Sequence, residues 1–402
     1  MHKQDAPELG QLKLLDVTEF FSPYGGGVRT YLRSKAEWLS GRSDVEHAIV
    51  LPLDRNSTEL WHASRVYYVE GAPVPASPGY HFLTAAGAIQ AIFERERPDV
   101  VEVGSPFLAP WISRRAGRSA DPVFTGYYHC DVPSVYVSFG LRKFPKAIRQ
   151  GAETALRRYL TTAYSKMHHM VAATASAEAA LRSLGLEAIS TIPLGVDTRL
   201  FHPSRQEVSW KAELGINDKE PVALYVGRFA AEKGLDVILA ALPLLVAESE
   251  LKLVLIGEGH LRDRLNRLSG EFEGRLKVLS YENDRSRLAR AYASSDIYIA
   301  PFPYETFGLS AVEAMACGTP VVGADSGGMI DLLRDSDCGR LFKPGDADDL
   351  TRQVLGMLEQ DPGELGKRAR EEVEGRYSWD QTFGTMMELY ARLDRNRRRK
   401  WV

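Results

Sequence analysis

Short apolar runs recur along the chain, and most are followed by a stretch whose apolar positions repeat at helical spacing. Leu12–Val17, Val45–Leu53, Pro98–Gly104, Pro122–Tyr128, His168–Ala173 and Ile189–Leu194 read as strands of a first series. Between them, helices are predicted from about Thr30 to Leu39, over His81–Glu94 and over Leu141–Ala163. In the last of these, Leu141, Phe144, Ile148, Ala152, Leu156, Tyr159 and Ala163 form an apolar stripe. A polar segment from Ser204 to Glu220, with a short helix around Val208–Leu214, interrupts the rhythm. The alternation restarts at Val222–Val226, with further strands at Leu251–Ile256, Leu276–Leu279, Asp296–Pro301, Pro320–Gly323 and Gly339–Lys343. Helices are predicted at His260–Leu268, at Ser286–Ala293 and through Leu309, Val312, Met315 and Ala316; three more, over 346–360, 362–374 and 378–395, close the chain. Strand and helix in alternation predict the α/β class, with parallel sheets and right-handed crossovers.

A length of 402 residues exceeds the usual single core, and the restart places a domain boundary near Gly195. The expected division is 1–195, 196–380, and a terminal segment 381–402 with a basic, fraying tail at Arg397–Lys400. A net charge of −3 gives no global attraction to nucleic acid. The three cysteines, Cys130, Cys317 and Cys338, lie far apart and form neither a disulfide framework nor a metal-ligand spacing. Met1–Glu8 lacks the apolar core of a signal peptide, and the longest apolar run, Val237–Ala247, is too short to span a bilayer. These features predict a cytoplasmic protein. One local charge stands out: Gly140–Lys166 carries seven basic residues and one acid, Glu153. It reads as a solvated face, as a positive wall that steers an anionic substrate, or as a contact with the inner face of an anionic membrane.

Candidate chemistry lies where strands end, because open α/β sheets bind ligands at the carboxyl ends of their strands. Gly25, Gly26 and Gly27 join the first strand to a helix start, where backbone N–H groups receive anions. His129 and Asp131 follow the strand ending at Tyr128. Arg228 and Lys233 follow Val226, and a guanidinium with an ammonium would neutralise a diphosphate. Their alternative is a surface ion pair, for instance with Glu232. Gly257, Glu258 and Gly259 follow Ile256. In the stretch Glu305–Pro320, Glu305 and Glu313 bracket a tight loop and the first turns of a helix. That combination suits a ligand with both hydroxyls and phosphates, and spacing alone equally describes a capped helix with exposed glutamates.

Taken together, these residues resemble family 4 of the nucleotide-sugar glycosyltransferases, retaining enzymes of the GT-B fold. The strongest matches are Gly227-Arg228 with Glu232-Lys233-Gly234, and Glu305 with Phe307-Gly308-Leu309 and Glu313 to Val322. Gly26-Gly27-Val28, His129-Cys130-Asp131, Pro193 to Asp197 and Ser378-Trp379 support them. The resemblance covers nearly the whole chain. It implies two Rossmann-like, doubly wound domains facing across a cleft, the donor held by the second and the acceptor by the first, with the C-terminal helix of 381–402 crossing back to the first domain. By it, Glu313 would hold the ribose hydroxyls. Glu305 would bind the transferred sugar, together with the backbone of Thr306, Phe307, Gly308 and Leu309. Arg228 and Lys233 would bind the diphosphate, His129 would lie against the sugar, and Gly26 and Gly27 would approach donor and acceptor. Gly227, Gly257, Glu258 and Gly259 would lie near the base and diphosphate. Catalysis would fall to Arg228, Lys233, Glu305 and His129, without a metal or other cofactor. Met329-Ile330-Asp331 departs from the family pattern, which puts a ligand role for that loop in doubt. The implied activity is transfer of a hexosyl group, mannosyl or glucosyl favoured, to a hydroxyl of a lipid-linked or saccharide acceptor. A same-fold phosphorylase and a non-catalytic sugar-nucleotide-binding partner remain as alternatives.

Overall fold

The computed structural model describes residues 11–75, 77 and 79–399, so the expectations for Met1–Glu8 and Lys400 lie outside the described residues. The first half runs β1 (Leu12–Val17), α1 (Gly27–Leu39), β2 (Val45–Leu53), β3 (Ser57–Trp61), β4 (Ser64–Glu70), α2 (Ala86–Glu96), β5 (Val100–Val103), α3 (Ala109–Ala116), β6 (Val123–Tyr128), α4 (Lys146–Tyr164), β7 (His169–Ala172), α5 (Ala175–Arg182) and β8 (Ile189–Thr191). Next come α6 (Val208–Glu213), β9 (Val222–Val226), α7 (Leu235–Glu248), β10 (Lys252–Ile256), α8 (Arg262–Glu271), β11 (Leu276–Leu279), α9 (Arg285–Ala293) and β12 (Ile297–Ala300). The chain ends with α10 (Leu309–Ala316), β13 (Val321–Ala324), α11 (Gly328–Leu333), β14 (Gly339–Phe342), α12 (Ala347–Leu358), α13 (Pro362–Arg376) and α14 (Trp379–Arg399).

The strands form two sheets, ordered β3-β4-β2-β1-β5-β6-β7-β8 and β11-β10-β9-β12-β13-β14. All pairings are parallel except β3 with β4. Strands β5, β6, β10 and β13 are buried along their whole length, as expected when helices cover both faces of a parallel sheet. In each sheet the strand order reverses once near the middle, at β1/β5 and at β9/β12. In the second sheet β12 follows β9 only through Ile297 and Tyr298. The two strands then separate, and a crevice opens at their carboxyl ends.

Several elements differ from the sequence reading for identifiable reasons. The helix expected from Leu141 begins at Lys146, because Pro145 disfavours helical backbone at the residue before it. Leu141 and Phe144 therefore leave the stripe, Ser134–Phe139 forms a π-helical turn, and Phe144 and Ile148 stay exposed. The helix expected from His81 begins at Ala86, because His81 is bridged to Pro73 and the Phe82 N–H donates to the Ala72 carbonyl. The β3–β4 hairpin, turning at His62 with φ 53°, has no glycine turn to announce it. The basic tail does not fray as far as Arg399. Arg397 and Arg398 pair with Asp394 of their own helix and with Asp99 of the first sheet.

Helix α14 leaves the second half and returns to the first. The Trp38 indole donates to Asp380 at 2.7 Å, Thr382 to the Pro193 carbonyl at 2.9 Å, and the Tyr390 hydroxyl to Glu102. Glu102 belongs to a buried ionic cluster. Asp16 on β1 and Glu102 on β5 are register partners, so their carboxylates lie side by side. The Lys35 ammonium, fully buried, reaches Asp16 at 2.8 Å and Glu102 at 3.1 Å. His47 Nε2–H donates to the Asp16 carboxylate at 2.8 Å, and Tyr31 donates to Glu102 at 2.9 Å. Removing one partner of a buried ion pair leaves an uncompensated charge. Lys35→Ala is therefore expected to destabilise the protein by about 3–5 kcal/mol, and Tyr390→Phe by about 1–3 kcal/mol. Denaturant midpoints check both, and an unchanged midpoint for Lys35→Ala would refute the role of the cluster.

Candidate active site

Two loops at the crevice of the second sheet carry the basic and acidic candidates. Gly227 to Gly234 follows β9, and Pro301 to Gly308 follows β12. Arg228 is exposed and pairs with Glu232 at 3.1 Å, so the surface ion pair weighed above does form. Burial raises the pKa values of Tyr80 and Tyr136 of the first domain, and the nearby Arg228 charge works in the opposite direction. The Lys233 ammonium sits 3.8 Å from the centre of the Phe302 ring, which joins the two loops by a cation–π contact. Gly234 ends that loop with φ 76°, and a side chain there would meet the Pro301 carbonyl at 2.5 Å. Among the described residues, neither Lys233 nor the Glu305 carboxylate has a salt-bridge partner.

Glu305 is half-buried, and its backbone carbonyl accepts from the Gly328 N–H at 2.7 Å. Phe307 packs edge-on against Tyr377 at 5.7 Å, which pins the loop behind Glu305. Gly308 takes φ 97° immediately before α10, and Met329 fills the space beside it. That turn begins α10, and the first N–H groups of a helix are the ones able to receive an anion. Met329 is wholly buried, and Asp331 on the same helix, α11, accepts from the Ser176 N–H at 3.1 Å. Helix α11 thus ties the domains together through Ser176, whereas the sequence puts only a ligand role for these residues in doubt.

Glu313 lies one turn further into α10 and is buried. Its Oε1 accepts from Arg285 at 3.0 Å and its Oε2 from the Tyr292 hydroxyl at 3.2 Å. Burial raises its pKa, and the Arg285 charge and the Tyr292 hydroxyl work in the opposite direction.

The first domain supplies the facing wall. Gly25 and Gly26 take φ 127° and 114°, and α1 starts at Gly27, beside which nothing lies within 4 Å of where a Cβ would be. The left-handed φ at Gly25 favours glycine, and a Cβ there would lie 2.2 Å from the Tyr281 hydroxyl of the second domain. His129 follows β6 and stacks on Tyr127 at 4.3 Å, with Tyr31 5.1 Å away. Burial lowers its pKa to about 3, with the Lys35 charge acting in the same direction, so His129 is neutral near pH 7. Burial pushes the adjacent Cys130 thiol up to about 12. Asp131 accepts from the Tyr128 hydroxyl and the Ser134 N–H, a local cap. The Thr306 hydroxyl donates to the His129 carbonyl at 2.9 Å, and its own carbonyl accepts from Thr174 at 3.0 Å. The Glu305 loop and the His129 loop are thereby joined across the cleft.

Other candidates have a different immediate role. Side chains at Gly227, Gly257 and Gly259 would meet Tyr225, the Gly227 carbonyl and the Phe229 carbonyl, at 2.7, 1.9 and 2.3 Å. Gly257 and Gly259 let the β9 and β10 loops pack backbone to backbone, and Gly227 makes room for the Tyr225 ring. Glu258 pairs with Arg262 at 2.9 Å. Val196 bridges to Ser378, and a side chain on Gly195 would meet the Trp379 N–H at 2.4 Å, so Pro193 to Asp197 supports the crossover. Sequence reasoning missed Arg285, Thr174 and Tyr281. They meet the cleft across separations such as 255 residues from Arg285 to Thr30, and no local pattern marks them.

The description Glycosyltransferase Family 4 matches residues 25–200, and Glycosyl transferases group 1 matches residues 206–376. Phosphatidyl-myo-inositol mannosyltransferase of Mycolicibacterium smegmatis is 32% identical over 301 residues, 73% of this chain and 70% of that protein. GDP-mannose-dependent alpha-(1-6)-phosphatidylinositol dimannoside mannosyltransferase of Mycobacterium tuberculosis is 28% identical over 390 residues, covering 94% of this chain and 95% of that one. Among solved structures, sucrose-phosphate synthase of Thermosynechococcus elongatus superposes with a TM-score of 0.79 at 22% identity, covering 95% of this chain and 99% of that one. Anabaena Alr3699/HepE in complex with UDP-glucose superposes with a TM-score of 0.71 at 19% identity, covering 95% and 100%. With its two parallel-sheet domains and these matches on both, the chain belongs to the family 4, group 1 glycosyltransferases and has their GT-B fold.

Proposed function

We propose that this enzyme moves a hexosyl group, mannosyl or glucosyl favoured, from a nucleoside diphosphate sugar to an acceptor hydroxyl, with retention of anomeric configuration, in polysaccharide or glycolipid synthesis. The observation that carries this reading is the Thr306–His129 hydrogen bond, which sets the Glu305 loop against the first domain beside Arg228 and Lys233. The two mycobacterial relatives are mannosyltransferases acting on phosphatidylinositol compounds, one of them with GDP-mannose, which favours a mannosyl donor and a lipid acceptor here.

In this reading the acceptor oxygen attacks the anomeric carbon from the face that the diphosphate leaves. The bond from that carbon to the diphosphate oxygen breaks, and its electron pair stays on the phosphate. A phosphate oxygen then takes the acceptor's proton. Arg228 and Lys233 stabilise the negative charge that grows on the leaving group, and Glu305 orients the sugar by its hydroxyls. Arg228 exchanges its Glu232 partner for a ligand of higher charge. Neutral His129 offers the sugar a hydrogen bond rather than a charge. Glu313 accepts from the ribose hydroxyls.

No helix among the described residues is long and apolar enough to cross a membrane. We propose that the start of α4 docks peripherally on an anionic lipid surface. Phe144 and Ile148 are exposed there, with Lys143, Lys146 and Arg149 interleaved, and Tyr136 is exposed on the preceding turn.

Arg228→Ala, Lys233→Ala and Glu305→Ala are each expected to lower kcat about 100-fold or more while the melting temperature stays close to that of the parent. Near-normal transfer by all three would remove the assignment. Turnover is expected to persist in EDTA, because the basic pair neutralises the diphosphate; loss of activity that added divalent metal restores would argue against this. Co-sedimentation with phosphatidylserine vesicles is expected to weaken with salt and with Lys143→Glu/Lys146→Glu. Binding indifferent to anionic lipid would sink the membrane proposal.

A further inference from the structure

Arg285 is held from three sides at the junction of the two domains. Its Nη2 donates to Glu313 Oε1 at 3.0 Å, its Nη1 to the Thr30 hydroxyl of α1 at 3.3 Å, and its guanidinium lies 4.9 Å over the Phe201 ring. It opens α9, where Asp284 caps the helix through the Ser286 N–H. Four residues earlier on the same segment, Tyr281 meets Gly25, so the β11–α9 connection touches the first domain twice.

Two roles are open to a cation bound to the carboxylate that would receive a ribose. It can occupy the ribose position and compete, or it can support the carboxylate. Lone pairs and charge favour support. A carboxylate has about four acceptor positions. Arg285 takes one on Oε1 and Tyr292 one on Oε2, which leaves one on each oxygen for the two hydroxyls of a vicinal diol. Burial, with 5% of Glu313 exposed, would otherwise drive it toward the protonated form, which loses acceptor capacity. The other groups facing Glu313 are Tyr292 from α9, Tyr298 from β12 and Cys317 from the end of its own helix, and none is a cation.

We propose that Arg285 is a positioning residue for donor binding: it keeps the Glu313 carboxylate charged and aligned for the ribose hydroxyls and anchors it to α1 of the first domain. The proposal rests on the assignment of Glu313 to the ribose.

The test is calorimetric binding of whichever of UDP, GDP and ADP binds tightest, and of its 2′,3′-dideoxy analogue, at several pH values from about 6.5 to 9. Without Arg285, Glu313 stays protonated to higher pH, and ribose binding needs the ionised form. Arg285→Gln is therefore expected to bind the diphosphate about tenfold more weakly near pH 7, with the gap to the parent narrowing toward pH 9. Arg285→Lys is expected to recover most of the affinity. Should Arg285→Gln not fold, Arg285→Met, which keeps the stem over Phe201, is expected to show the same pH-dependent loss. Equal or tighter binding by the charge-removing variant at every pH would overturn the proposal. The ribose assignment fails separately if the parent does not discriminate against the dideoxy analogue and Glu313→Gln binds normally.

Discussion

An ammonium with no exposed surface governs how the first domain is assembled. Asp16 and Glu102 are neighbours in register on adjacent parallel strands, where two carboxylates repel one another. Lys35 descends from α1 between them, and its own charge is tolerable only because both are there. The remaining acceptor capacity is met by His47 on β2, Tyr31 on α1 and Tyr390 on α14. One buried charge thus specifies the placement of three strands and two helices, including the helix that crosses back from the second domain. The same cluster reaches the cleft. Tyr31 and Tyr127 both pack against His129, and the Lys35 charge adds to burial in keeping that imidazole neutral.

The second domain works by topology. Its strand order reverses between β9 and β12, and the two strands part after Tyr298. The β9 loop brings the cations and the β12 loop brings the carboxylate, so opposite charges face one crevice without cancelling. Contacts with Phe302 and Glu232 hold the cations without burying them. Across the crevice the domains meet at a few polar points: Thr306 with His129 and Thr174, Asp331 with Ser176, and Arg285 with Thr30. Such contacts are weaker than a hydrophobic interface and suit surfaces that must part to admit a substrate. The large apolar interface is reserved for α14, which stays docked through Phe383, Met386 and Tyr390.

The α/β class, the restart of the rhythm in the second half and most strands were legible in the sequence, because parallel strands covered on both faces read as unbroken apolar runs. Val45–Leu53 and Val222–Val226 have the bounds that their apolar runs predict. Glu305, Arg228, Lys233 and Glu313 were legible as strand-end or helix-start chemistry, because loop position follows from local pattern. Tertiary structure alone decided that Glu313 is buried with Arg285, that Arg228 rests on Glu232, and that Gly257 and Gly259 serve loop packing. It also decided that the α4 stripe starts late, at Pro145, and leaves part of its apolar face exposed. The physical reason is range. Periodicity and turn chemistry act over a few residues, whereas a side chain's protonation, partner and exposure depend on residues brought beside it from tens to hundreds of positions away.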